Sequence, residues 1–211
     1  MLFNDRQQAG TLLAEKLTAY QSSNALILGL ARGGVAVAQS VAKVLSVPFD
    51  VLVIKKIGSP YNKEFAIGAV APDGIFIVHW KDAHRSGADE AYVKHEVARL
   101  NGEIQKQLSV YRKGQKPIAI AGNIVILIDD GAATGATMEA AVRWARKKKA
   151  QKVVIGLPVA SWEAIELLRP EVDELLVYEK AQELESVGAY YESFEQLTDA
   201  EVITLLREEH T

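Results

Sequence analysis

Two carboxylates stand side by side at the end of an apolar run: Val125-Ile126-Leu127-Ile128-Asp129-Asp130-Gly131-Ala132-Ala133-Thr134-Gly135-Ala136-Thr137. Gly131 to Ala133 are all small, which lets backbone N–H groups come close to an anion. Gly135, Ala136 and Thr137 open a helix, whose N-terminus adds free donors and a partial positive charge. Thr134 and Thr137 add hydroxyls. The segment from Gly131 to Thr137 therefore reads as a phosphate cradle. Asp129 and Asp130 would repel that phosphate, so they need a partner rich in donors, such as vicinal hydroxyls, or a cation. A sugar phosphate satisfies both halves. Capping the helix would call for one acid, not two.

Two further loops carry chemistry. Ala31-Arg32-Gly33-Gly34 joins an apolar run to a helical pattern. Arg32 offers a fork of donors suited to phosphate oxygens, and the glycines allow close backbone approach. Lys55-Lys56-Ile57-Gly58-Ser59-Pro60-Tyr61-Asn62-Lys63-Glu64 holds three lysines with a Gly and a Pro. Lys55 and Lys56, with Lys63 behind them, could neutralise a departing anion.

VILIDDGAATGAT resembles the phosphoribosyl-pyrophosphate (PRPP) motif of type I phosphoribosyltransferases. Arg32-Gly33-Gly34, Ala66 to Val70 (AIGAV), Asp129 to Thr137, and the tail Val187-Gly188-Ala189-Tyr190-Tyr191-Glu192-Ser193-Phe194-Glu195-Gln196 together resemble a predicted subgroup of that family. The likeness runs over nearly the whole chain. It implies that Asp129 and Asp130 contact the ribose hydroxyls, and that Gly131, Ala132, Ala133, Thr134, Gly135, Ala136 and Thr137 hold the 5′-phosphate. It places the pyrophosphate loop at Arg32, Gly33 and Gly34, with a non-proline cis peptide at Ala31–Arg32. It makes 55–64 a mobile loop that closes over PRPP, with Lys55 and Lys56 on the pyrophosphate. The implied reaction moves ribose 5-phosphate from PRPP to a nitrogen acceptor, a nucleobase by default. Arg32, Lys55, Lys56, Asp129 and Asp130 are the catalytic set. Mg2+ arrives on PRPP, without direct protein ligands and with a water bridge to Asp129 or Asp130 open. Ala133 stands where the 6-oxopurine branch has an aspartate, and alanine cannot act as a base. A homodimer is the family default. The alternative is a PRPP- or nucleotide-binding regulator with little turnover.

The elements that must position these loops are legible in outline. Ala25–Leu30, Asp50–Ile54, Asn123–Ile128, Lys152–Pro158 and Val172–Tyr178 read as strands. Their continuous Val, Ile and Leu suit a parallel sheet covered on both faces. Helical patterns over Asn4–Tyr20, Gly33–Leu45, Ala88–Arg112, Gly135–Lys149, Trp162–Leu168 and Thr198–Glu209 alternate with them. Phe65–Ala71 and Gly74–Val78 read as two strands joined at Pro72-Asp73-Gly74. The fold class is α/β, a type I phosphoribosyltransferase-like parallel sheet flanked by helices. The expected organisation is one domain over 1–211, with a small hood from the N- and C-terminal segments. Ligands of such sheets bind beyond the carboxyl ends of the strands, where all three loops lie.

Composition narrows the classes. The 211 residues carry 24 Lys and Arg against 27 Asp and Glu, a net charge of −3. That balance argues against general nucleic-acid binding, and Arg143 to Lys149 reads as a basic helix end. With no cysteine there is no disulfide, zinc–thiolate site or cysteine nucleophile. His79, His84, His95 and His210 lack the spacing of a zinc hydrolase. No run approaches the roughly 18 apolar residues of a membrane span, and the N-terminus has no export signal. The expectation is a cytoplasmic protein without nucleic-acid or membrane partners. Trp144 reads as packing and His95 as solvated. Trp80, His84, Tyr92, Tyr190, Tyr191 and Phe194 remain open between packing and lining a site.

Overall fold

A computed structural model gives the fold of residues 2–208. Strands β1 (Ala25–Leu30), β2 (Phe49–Leu52), β6 (Ile124–Ile128), β7 (Lys152–Ser161) and β8 (Glu174–Ala181) form a parallel sheet in the order β2-β1-β6-β7-β8. β3 (Lys55–Gly58), β4 (Ala66–Val70) and β5 (Phe76–Val78) form a smaller antiparallel sheet. Successive side chains alternate, and β1, β2, β6 and β7 are buried on both faces while the edge strand β8 is only partly buried. In β1, Ile27 enters a core with Leu13, Val37, Val41 and Val51. Leu26, Leu28 and Leu30 enter another, with Val125, Leu127 and Val153.

The α-helices among the described residues are α1 (Arg6–Lys16), α2 (Gly33–Leu45), α3 (Trp80–Arg85), α4 (Glu90–Arg112), α5 (Ala136–Lys147), α6 (Trp162–Leu168) and α7 (Asp199–Arg207). The sequence ends its last helix at Glu209, which lies outside those residues. α1 starts at the Asp5 cap, whose carboxylate accepts from Gln8 N–H, and gives way after Lys16 to a 3₁₀ turn at Thr18–Tyr20. Helix α3 has no counterpart among the sequence-based expectations: six residues are too few for a period to show.

The segment 55–64 departs most from expectation. Its first four residues are not loop but strand β3, paired antiparallel to β4 from Lys55 opposite Val70. The lysines obscure a strand whose buried member is Ile57. Only the turn near Ser59–Glu64 is loop, tied down where the Tyr92 hydroxyl donates to Gly58 O at 2.7 Å.

Two segments far apart in sequence meet. Phe3 N–H donates to Tyr190 O and Glu192 N–H to Phe3 O, both at 2.8 Å. Phe3, Ala9 and Tyr191 form a third buried cluster beside the carboxyl ends of the strands.

Candidate functional site

Strand β6 delivers Asp129 and Asp130 to its carboxyl end, against the turn that follows β1. A Cβ on Gly33 would collide with Asp130 Oδ2, and one on Gly34 would lie 2.7 Å from Ile128 O and 2.8 Å from Asp129 Cα. Only glycine lets the two turns approach this closely. The Ala31–Arg32 peptide between β1 and these glycines is cis.

The loop after the acids is anchored at one point and open beyond it. Ala132 N–H donates to Val159 O, and Ser161 N–H to Ala132 O, each at 3.0 Å. The Ser161 hydroxyl donates to Ala133 O and accepts from Ala164 N–H, so one side chain fixes the loop and caps α6. Gly135 then turns the chain with φ +78°. Among the described residues, the N–H groups of Thr134, Gly135, Ala136 and Thr137 have no backbone acceptor, and neither threonine hydroxyl has a protein partner. Asp129 and Asp130 do not cap α5; neither does any other side chain. The N-terminus of α2 at Gly33 is likewise without a side-chain cap. By contrast α1, α4, α6 and α7 are capped by Asp5, Asp89, Ser161 and Thr198. Short α3 is the other uncapped helix. The two long helices with free N-terminal donors are thus the two that start at the candidate anion loops.

The acids are not equivalent. Arg6 Nε lies 2.9 Å from Asp130 Oδ2, with both side chains largely buried. Asp129 Oδ1 accepts from Asp130 N–H at 2.9 Å, and among the described residues no cation pairs with it. Burial, then the adjacent Asp130 charge, pushes the Asp129 carboxyl well above the ordinary carboxylate range. Burial also raises Asp130, against the opposing pull of Arg6. The site holds two carboxyl groups within hydrogen-bonding reach of each other, and one guanidinium.

The tail motif locks this arrangement. Arg6 Nη1 donates to Glu195 O at 2.9 Å, and its guanidinium stacks 3.9 Å above the Phe194 ring. The Tyr191 hydroxyl donates to Asp130 O at 2.6 Å. Burial raises the Tyr191 hydroxyl pKa, so it stays a donor. Tyr191 and Phe194 are therefore packing residues that also brace an acid. No sequence motif marks Arg6, although a cation at a helix N-terminus opposes the dipole and so hints at a tertiary partner.

The cationic groups divide. Arg32 and Lys55 line one cleft of about 680 Å3 beyond the ends of β1 and β2. Lys56, next along β3, is exposed and does not line that cleft, because consecutive strand residues face opposite sides. Lys63 is turned toward α4, 2.6 Å from the Tyr92 hydroxyl and 3.9 Å from Glu96. Tyr92 is accordingly a brace between the β3–β4 turn and α4. Trp144 is buried in the core, and Arg146 and Lys148 pair with Asp173 and Asp73 at 2.8 Å each, as expected of a helix end. His95 is solvated.

A family model described as the phosphoribosyl transferase domain matches residues 4–185. The chain belongs to this family. A Thermus thermophilus protein of known crystal structure, TT1426, is 41% identical, with 99% of each chain covered and a TM-score of 0.83. A purine phosphoribosyltransferase from Pyrococcus horikoshii is 16% identical, with 92% of each chain covered and a TM-score of 0.50. A hypoxanthine phosphoribosyltransferase from Staphylococcus aureus is 13% identical over 86% of this chain and 76% of that one, TM-score 0.51. At that identity the two enzymes show the fold alone, and they support the α/β class expected from the strand pattern. A Mycobacterium tuberculosis protein with the provisional name phosphoribosyl transferase is 35% identical over 209 residues, 99% of this chain and 47% of its own length. The chain thus spans about half the length of the curated relatives it matches. Among the described residues, no helix is long and apolar enough to cross a membrane.

Proposed function

We propose that the chain transfers ribose 5-phosphate from PRPP to a nitrogen acceptor and releases pyrophosphate. The observation that carries this reading is the junction of Gly33-Gly34 with Asp129-Asp130. It puts hydroxyl acceptors, two uncapped helix N-termini and the Arg32 cleft around one short turn. PRPP has the matching layout: a 5′-phosphate, two ring hydroxyls, and a pyrophosphate on the carbon beside them.

In this mechanism Asp129 and Asp130 accept from the ribose hydroxyls and orient the ring. The N–H groups of Thr134 to Thr137, with both threonine hydroxyls, hold the 5′-phosphate. The bond from the anomeric carbon to pyrophosphate breaks as the bond to nitrogen forms, through an oxocarbenium-like state. Arg32 and Lys55 stabilise the negative charge gathering on the leaving group. No protein nucleophile is required. The donor set suits Mg2+: Arg6 balances one carboxylate and leaves the other as a hard oxygen donor, while no cluster of three or more ligating side chains occurs among the described residues. Bound with PRPP, Mg2+ would neutralise phosphate oxygens, with Asp129 placed to hold one of its waters. The acceptor is a nucleobase in this reading, and Ala133 speaks against a 6-oxopurine handled by a base at that position. A cytoplasmic homodimer completes the proposal.

Calorimetry with PRPP and Mg2+ should give saturable binding, and Asp129→Asn should weaken it by about tenfold, the value of one charge-assisted hydrogen bond. Chelation should weaken it as well. Pyrophosphate release with at least one member of a purine, pyrimidine and amine panel is the expected turnover. Unchanged affinity in Asp129→Asn would refute the assignment of the acids.

A further inference from the structure

Helix α4 presents two stripes. Leu100, Ile104, Leu108 and Tyr111 are buried in the core. One step round the helix, Glu103, Lys106, Gln107 and Val110 recur at intervals of three and four, and all four line the cleft that holds Arg32 and Lys55. Asp199, the first residue of α7, closes the cleft on another side.

The charges in this cleft are loosely matched. Lys55 Nζ lies 4.0 Å from Glu103 Oε2, and Arg32 Nη1 lies 3.9 Å from Asp199 Oδ1, with every one of these side chains about a third or more exposed. Contacts that long and that wet hold their partners weakly. Lys106 has no ion-pair partner among the described residues. Both carboxylates have somewhere else to go. Glu103 is already shared with Arg99, one turn earlier on the helix. Asp199 Oδ1 is fixed by the Tyr111 hydroxyl at 2.6 Å, and Gln107 donates to that hydroxyl in turn. Three cations thus converge from three separate elements, each held loosely or not at all.

We propose that Lys106 is a ligand-binding residue, the third cation of a polyphosphate cleft shared with Arg32 and Lys55, and that Glu103 and Asp199 are the resting counter-ions which the polyphosphate displaces. This rests on the PRPP reading, since the same turn that carries Arg32 touches the acid pair. It extends the site to α4, which none of the sequence motifs includes. An anion with several oxygens bridges all three cations at once, whereas each carboxylate reaches only one. The polyphosphate is the pyrophosphate group, whether still on the sugar or free after transfer.

The test is calorimetry of the whole chain with three probes: Mg2+ pyrophosphate, PRPP with Mg2+, and ribose 5-phosphate. Lys106→Gln should weaken the first two by about tenfold and leave ribose 5-phosphate within about twofold of the unaltered chain. Lys106→Arg should restore most of the loss. Asp199→Asn keeps an acceptor for Tyr111 and removes the competing charge, so it should tighten pyrophosphate severalfold. If Lys106→Gln binds pyrophosphate as the unaltered chain does, or loses ribose 5-phosphate equally, the role of Lys106 is overturned while the PRPP reading stands. No tightening in Asp199→Asn overturns the counter-ion role. If the unaltered chain binds neither PRPP nor ribose 5-phosphate, both readings fall.

Discussion

Asp130 has a guanidinium 2.9 Å from its Oδ2, and among the described residues Asp129 has none. The two residues should therefore respond oppositely to the same change. Asp129 sits with its carboxyl pKa raised by burial and by its neighbour, so the native chain binds a proton more tightly there than the unfolded chain does. Stability contributed by such a group is greatest below the ordinary value of 3.8 and is lost as pH rises toward the folded-state value. Asp129→Asn removes that cost and keeps an acceptor for Asp130 N–H. At pH 7 we expect its Tm to rise, and the gain to fade as pH falls toward the ordinary carboxylate range, as thermal melts across that range would show. The same variant should lose PRPP affinity, which separates a binding role from damage to the fold. Asp130→Asn leaves Arg6 buried without a counter-charge. A loss of roughly 3 kcal/mol is expected, so thermal melts should show a Tm about 6–12 °C lower. A stabilised Asp130→Asn would overturn the division of roles between the two acids.

At the scale of elements, the site depends on two strand ends meeting through glycine. In Gly34→Ala, the new methyl would meet Ile128 O and Asp129 Cα, which are backbone and cannot swing away. We expect either an insoluble chain or a Tm more than about 5 °C lower with PRPP binding lost, in line with overpacking of a tight contact. Gly102→Ala, on an exposed face of α4 with open space around its Cβ, is the control. It should gain up to about 1 kcal/mol from helix propensity, and a melt distinguishes the two. The β3 strand teaches a related lesson. Read as a loop, Lys55 and Lys56 are interchangeable; read as a strand, they face apart, and Lys55 alone stands beside Arg32. The alternation is obscured because the residues that would expose it are two identical cations.

For the molecule as a whole, the segments 3–6 and 190–195 act as a clamp on the site. Phe3 pairs with Tyr190 and Glu192, Phe194 supports Arg6, and the Tyr191 hydroxyl holds the Asp130 carbonyl. Tyr191→Phe keeps the packing and removes one buried hydrogen bond. A Tm decrease of about 2–6 °C is expected, from a loss of about 1–1.5 kcal/mol, together with weaker PRPP binding by calorimetry. Unchanged binding alongside the lower Tm would show that the clamp stabilises the fold without shaping the acid pair.

Local rules determined much of this protein from the residues alone. Runs of Val, Ile and Leu between helical periods bury both faces in a parallel sheet, and β1, α2 and α6 fall at the residues that their patterns give. The acid pair, the small-residue loop and the glycine turn are contiguous segments, so each is visible as a unit. Tertiary structure decided what the units do to one another. Arg6 reaches Asp130 across 124 positions of chain, Asp199 meets Arg32, and Lys106 lines the same cleft from a helix far along the sequence. Charge and hydrogen-bond energies depend on separation in space and on burial, and a residue's type and neighbours in the chain carry neither quantity.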